Sequence, residues 1–162
     1  IRNIASETFT SVSAPIQYAA IKAYSEDHSE YLEYSRKILH SISNYVHSKF
    51  TEIGVNCKKP QGGFYMLCDF SSVLKKTNEI NDSKSLCNEV LNATGFAMLP
   101  GVDFGIPVEK LITRIAFVDF DGKIVLEKAI KNKFIDEEFI INNCPKIVKG
   151  IKKLMDWVKQ QK

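Results

Sequence analysis

The sequence predicts an α+β fold: a small, mainly antiparallel or mixed sheet covered by helices and preceded by one long helix. Three observations carry this prediction. Apolar and aromatic residues recur at helical spacing from Tyr31 to Ile53, and again from Ile147 to Val158. Two short runs rich in β-branched and aromatic residues, near 63–69 and 111–118, read as strands. A chain of 162 residues is long enough for one proper core, and helices laid on a sheet are a standard way to close one.

Each element can be justified in turn. From Ser13 to Tyr24 the chain reads as a helix, with Ser13 as N-cap and Pro15 in the first turn, where its missing N–H costs nothing. Asp27-His28-Ser29-Glu30 has the form of a capping box with a carboxylate in place of the usual hydroxyl. Residues 31, 34, 38, 42, 45, 46, 50 and 53 then keep one apolar stripe, and Gly54 is a suitable stop. A helix this long exceeds the globular mean of about 11–12 residues. It either bridges two parts of a larger protein or backs a whole sheet.

Beyond Gly54 the rhythm changes. Residues 55–57 and 63–69 are extended, and Gly62-Gly63 marks a turn or a close backbone approach. Asp82 caps a helix from Ser83 to Ala93 that stops at Gly95. A short strand over Phe96–Leu99 enters the Pro100-Gly101 loop, and a strand follows over Leu111–Val118. Asp121, in a structural turn with Phe120 and Gly122, caps a helix through Lys131, and 135–145 is a connection. Finally Asn143 or Cys144 caps, Pro145 opens, and Ile147, Val148, Ile151, Leu154, Met155 and Val158 form an apolar stripe. Trp157 falls off that stripe and either covers an interface or stays partly exposed.

Composition narrows the function classes. Apolar content of 44% and charged content of 25% are those of an ordinary soluble protein. The net charge is only +3. The lysines at 146, 149, 152, 153, 159 and 162 share their segment with an apolar stripe, so they form a solvated helix face, and neither nucleic acid nor membrane is an expected partner. No apolar stretch approaches the roughly 18 residues of a membrane span. The first seven residues lack the order of a signal peptide, and the start without methionine suggests a chain cut from something longer. Cys57, Cys68, Cys87 and Cys144 form no close pair in the sequence and no metal-type spacing, so reduced thiols in a cytoplasmic protein are expected. His28, His40 and His47 all lie on the long helix, but no carboxylate or cysteine completes a metal set with them.

Arg114 is the residue that speaks to function. On a strand Ile112, Arg114, Ala116 and Val118 share one face, with Leu111, Thr113, Ile115 and Phe117 on the other. A guanidinium on a largely apolar face is costly to desolvate unless an anion meets it. Its planar fork suits a carboxylate or a phosphate. An internal partner, Asp103 or Asp119, or simple access to water at a sheet edge would also account for it.

Three blocks surround this arginine in order: Ser11-Val12-Ser13-Ala14-Pro15-Ile16-Gln17-Tyr18, Pro60-Gln61-Gly62-Gly63-Phe64-Tyr65, and Pro100-Gly101-Val102-Asp103-Phe104-Gly105. The set resembles the C-terminal part of the class I/II (fold type I) aminotransferases, which depend on pyridoxal phosphate. The resemblance covers nearly the whole chain, weakens after about residue 125, and implies a small domain at 54–162 behind a helical segment, 1–53, that includes the interdomain helix. It implies that Arg114 binds the substrate α-carboxylate, with Ile4, Ala5, Ser6 and Phe64 as possible site-lining residues. The implied parent is a cytoplasmic homodimer that moves an amino group between an amino acid and a 2-oxo acid, and a large N-terminal domain completes it.

The resemblance also limits the chain. The family's cofactor-bonded lysine sits in a serine-lysine motif, followed by a glycine and an arginine, upstream of the block around Pro15. No catalytic residue is therefore expected here, and no pyridoxal phosphate should be bound to the fragment, which alone should be inactive. Ser48-Lys49 imitates the motif, but it falls inside the long helix and no arginine follows. Two alternatives share the scaffold: a pyridoxal-dependent lyase, and an aminotransferase-like ligand-sensing domain of a transcription regulator. A small independent interaction module is the third.

Overall fold

The computed structural model describes residues 3, 4, 7, 12–132 and 134–161. The chain divides into two compact units, residues 1–33 and 34–162. In the first, helix α1 (Ala14–Ser25) carries Pro15 in its first turn as expected. Ser13 precedes it, but its hydroxyl makes no capping bond. The Gln17 side-chain amide donates to the Val12 carbonyl instead, at 2.6 Å. The capping box at Asp27 also takes another form. The Asp27 carboxylate accepts from the Ser29 backbone N–H at 2.9 Å, two residues on, in an Asx turn. Helix α2 (Ser29–Glu52) starts there.

Within the second unit, α2 buries Ile38, Ile42, Tyr45, Val46 and Phe50 along one stripe. Its end is closed by the Val55 N–H donating to the Phe50 carbonyl at 3.0 Å. Four strands follow: β1 (Asn56–Cys57), β2 (Tyr65–Asp69), β3 (Leu99–Pro100) and β4 (Ile112–Ala116). They form one antiparallel sheet in the order β1-β2-β4-β3. Helix α3 (Ser83–Thr94) packs against β3, β4 and α6 (Pro145–Gln160). Helices α4 (Gly122–Lys131) and α5 (Glu137–Asn143) complete the unit, α5 against α6.

Strand alternation decides which side of the sheet is dry. Met66 and Cys68 of β2, and Leu111, Thr113, Ile115 and Phe117 around β4, point inward and are buried. Phe50 of α2 meets Phe70, just past β2, edge-on at 6.4 Å between ring centroids. The other face carries Tyr65, Leu67, Ile112, Arg114 and Ala116, none of them fully buried.

Four expectations need correction. The strand predicted over Phe96–Leu99 shrinks to Leu99–Pro100, because the Phe96 ring packs beside Gly150 of α6 and only Leu99 and Pro100 pair with β4. Trp157 is buried at 7% exposure, since α6 is covered along a broader arc than one apolar stripe. Residues 135–145 are no plain connection: Asp136 caps α5 by accepting from the Phe139 N–H at 3.0 Å. Gly62 and Gly63 permit no close approach, because a Cβ on either would meet nothing within 4 Å. Gly63 is needed for its φ of +68°, which side chains with a Cβ resist.

The cap of α3 makes this fold testable. The Asp82 carboxylate accepts from the Ser85 N–H at 2.7 Å, and the Ser85 hydroxyl returns to the Asp82 N–H. The Ser85 N–H holds Asp82 below its ordinary pKa. A depressed carboxylate stabilises the fold above its unfolded-state pKa, and that contribution is lost as pH falls through the folded-state value. Asp82→Ala should therefore cost about 1 kcal/mol in urea unfolding at neutral pH. The gap between the two proteins should close as acid protonates the cap. A gap that does not change with pH would contradict this account.

Candidate functional site

Arg114 stands in the middle of β4, with Leu67 of β2 and Leu99 of β3 as its neighbours across the sheet. Tyr65 lies opposite Ala116, which places its ring diagonal to Arg114 on the same face. The guanidinium carbon sits 4.1 Å from the Tyr65 ring centroid and 4.2 Å from that of Phe104. The two rings hold the cation between them. Phe64 does not touch the cation; it packs on Tyr65 at 4.3 Å between centroids.

Phe104 reaches this position through a short 3-10 turn, Gly101–Phe104, that follows β3. The turn lies so close to β4 that a Cβ on Gly101 would stand 2.5 Å from the Ile112 carbonyl oxygen. Only glycine allows that approach. The Ile106 N–H then donates back to the Gly101 carbonyl at 3.2 Å and closes the loop.

Neither internal carboxylate satisfies the arginine. Asp103 stands 3.9 Å from Lys84, and Asp119 stands 3.4 Å from Lys146. Among the described residues Arg114 makes no ion pair, and its Nε is buried without a hydrogen-bond partner. Desolvating a guanidinium costs up to several kcal/mol. Two cation–π contacts return about 0.5–2 kcal/mol each. The rings thus fix the plane of the cation and offset part of its cost, but they donate nothing to its N–H groups. A carboxylate or phosphate is the partner that would accept from them.

Other expected residues fall elsewhere. Ala5 and Ser6 lie outside the described residues. Ile4 lies in the first unit and is 68% exposed. Lys49, the imitation of the lysine motif, is bound to Glu137 at 3.2 Å and flanked by Glu52 at 3.8 Å. Glu137 raises its pKa, which keeps it an ammonium and unsuited to nucleophilic work. Sequence reasoning did not single out Tyr65 or Phe104 as contacts of the arginine. For Tyr65 the signal exists in the alternation of β2, once its pairing with β4 is known.

A cleft of about 590 Å³ is lined by Phe96, Phe117, Lys146, Lys149 and Lys153 and does not include Arg114. The face around the cation is open and apolar, with Leu67 51% exposed and Leu99 45% exposed. It has the character of a surface that another body covers.

Comparison with known proteins bears on the family and the fold. The family model for Aminotransferase class I and II matches residues 1–122. The aspartate aminotransferase of Bacillus sp. (strain YM-2) is 32% identical over 106 residues, which is 65% of this chain and 26% of that protein. The aspartate/prephenate aminotransferase of Cereibacter sphaeroides is 32% identical over 108 residues, 64% of this chain and 27% of that protein. The crystal structure of the aspartate aminotransferase from Rhizobium meliloti aligns with 98% of this chain and 34% of its own, at a TM-score of 0.70 and 18% identity, a likeness of fold. The chain spans about a quarter of the length of these curated relatives.

The close approach at Gly101 gives a paired test. Gly101→Ala must push back the Ile112 carbonyl and should lower stability by roughly 1–3 kcal/mol in urea unfolding. Gly62→Ala, placed in open space, should change it by no more than about 0.5 kcal/mol. Equal costs at the two positions would contradict the assigned packing.

Proposed function

We propose that this chain, which belongs to the Aminotransferase class I and II family, carries the substrate-carboxylate clamp of an enzyme that passes an amino group between an amino acid and a 2-oxo acid. One observation carries the reading. Arg114 is oriented by Tyr65 and Phe104 and has no carboxylate of its own among the described residues. A bidentate contact from its guanidinium would fix the substrate's carboxylate in one plane. The bond to be broken at Cα is then held at a set angle, and orientation of this kind lowers a barrier before any chemistry starts.

Pyridoxal phosphate supplies such enzymes with an electron sink for the charge released at Cα. The described residues do not fit as its holder. The lysine in a serine-lysine setting, Lys49, is tied to Glu137 and Glu52, and the donor left open, on Arg114, suits a substrate carboxylate. In this reading the fragment alone is inactive, and the reacting groups belong to a large domain of the parent. The open apolar face at Leu67, Leu99 and Phe104 is where that domain would lie. Ile4, Ala5 and Ser6 stay candidates for lining the site, and Phe64 acts through Tyr65. The parent would work as a cytoplasmic homodimer. No described helix is long and apolar enough to cross a membrane.

The test uses the intact parent. Arg114→Ala should weaken amino-acid binding by roughly 1.5–3 kcal/mol, the usual scale for a charge-assisted hydrogen-bonded contact. Arg114→Lys should recover only part of it, because an ammonium keeps the charge and loses the fork. An affinity unchanged within about twofold in Arg114→Ala, well under that scale, would overturn the assignment.

A further inference from the structure

A second chemistry lies on the other side of the sheet. Cys57 of β1 and Cys68 of β2 are direct antiparallel partners, although eleven positions separate them in the chain. Side chains of such a pair leave the sheet on the same face. Both residues are free thiols. Cα atoms of directly paired antiparallel residues are about 4.5–5.5 Å apart, inside the roughly 4.4–6.8 Å range a disulfide accepts. The Cβ atoms must close by about 1 Å to reach disulfide spacing. β1 can make that movement, since it is two residues long and has a sheet neighbour on one side only.

Access and reactivity are divided between the two. Cys68 is fully buried, whereas Cys57 is half-buried at the sheet edge. Its neighbour Cys68 holds the Cys57 thiol below its ordinary pKa. The Thr51 hydroxyl, which otherwise donates to the His47 carbonyl at 2.8 Å, adds to that effect. The same pairing, with burial, pushes the Cys68 thiol up. The two remaining thiols, Cys87 and Cys144, are buried, and burial pushes each up to about 11. A partly accessible thiol with a lowered pKa, paired across the sheet with a second thiol, is the arrangement of a peroxide-responsive pair.

We propose that Cys57 and Cys68 are an oxidation site that closes to a reversible intrachain disulfide when the protein meets a peroxide. The Cys57 thiolate attacks one peroxide oxygen, the O–O bond breaks, and hydroxide leaves and takes a proton as water. The sulfenic acid so formed is attacked by the Cys68 sulfur. The S–O bond then breaks, a second water leaves with the Cys68 proton, and the S–S bond forms. Two thiols have lost two electrons and the peroxide has gained them. The bridge would pin β1 to β2, the strand that carries Tyr65 against Arg114.

The full chain, treated with hydrogen peroxide, alkylated after denaturation and mapped by mass spectrometry, tests this directly. Alkylatable thiols should fall from the four present to two, with the peptides holding Cys57 and Cys68 joined, and dithiothreitol should restore all four. Cys57→Ser, changed at the accessible position, should keep its three remaining thiols. Cys68→Ser should instead accumulate a sulfenic acid on Cys57 that a dimedone probe traps. Four thiols surviving peroxide, a bridge between any other pair, or Cys57 oxidised further while Cys68 stays free would each overturn the proposal.

Discussion

A cation in contact with two aromatic rings sets terms that the rest of the sheet has to meet. Arg114 can keep that position only if β2 places Tyr65 diagonally across from it and the loop after β3 brings Phe104 against it. The first requirement fixes the pairing of β2 with β4, since a slip of one residue would send Tyr65 into the core. The second is met by Gly101, whose missing side chain lets the turn lie against the Ile112 carbonyl. The residue types at these positions are packing answers to the problem of holding one arginine.

The two faces of the sheet divide the work. The inner face, from Met66 and Cys68 to Thr113 and Ile115, is sealed and joins the helices in one apolar core. Its one polar side chain in β4, Thr113, bonds to the Met98 sulfur at 3.5 Å. The outer face keeps leucines and aromatic rings half in water around a charge, an arrangement with little merit for stability. Such a face is justified by what binds to it, and the donors of Arg114 point to an anion.

Much of this was legible from residue order. The long helix ending at Gly54, the helix capped by Asp82, the helix after Asp121 and the inward-outward alternation around Arg114 follow from local patterns whose physics is local. The family could be named from three blocks and the arginine strand, and the family model agrees. What escaped depended on partners distant in sequence. Trp157 lies off its helix's main stripe yet is buried, because neighbours close around it. The strand at Phe96–Leu99 was shortened by an aromatic ring that found a glycine on α6. Cys57 and Cys68 look unrelated along the chain and become neighbours only through the pairing of β1 with β2. The rings that clamp Arg114 belong to this class too.

The central claim is that Arg114 recognises a carboxylate, and the sharpest measurement compares two ligands on the intact parent. An amino acid and its carboxamide differ at the one group the guanidinium is assigned to hold. The native protein should prefer the acid by roughly 1.5–3 kcal/mol, about 10- to 150-fold in affinity. With Arg114→Gln that preference should vanish while the carboxamide binds as before. A variant that discriminates between acid and amide as well as the native protein would show that some other group holds the carboxylate.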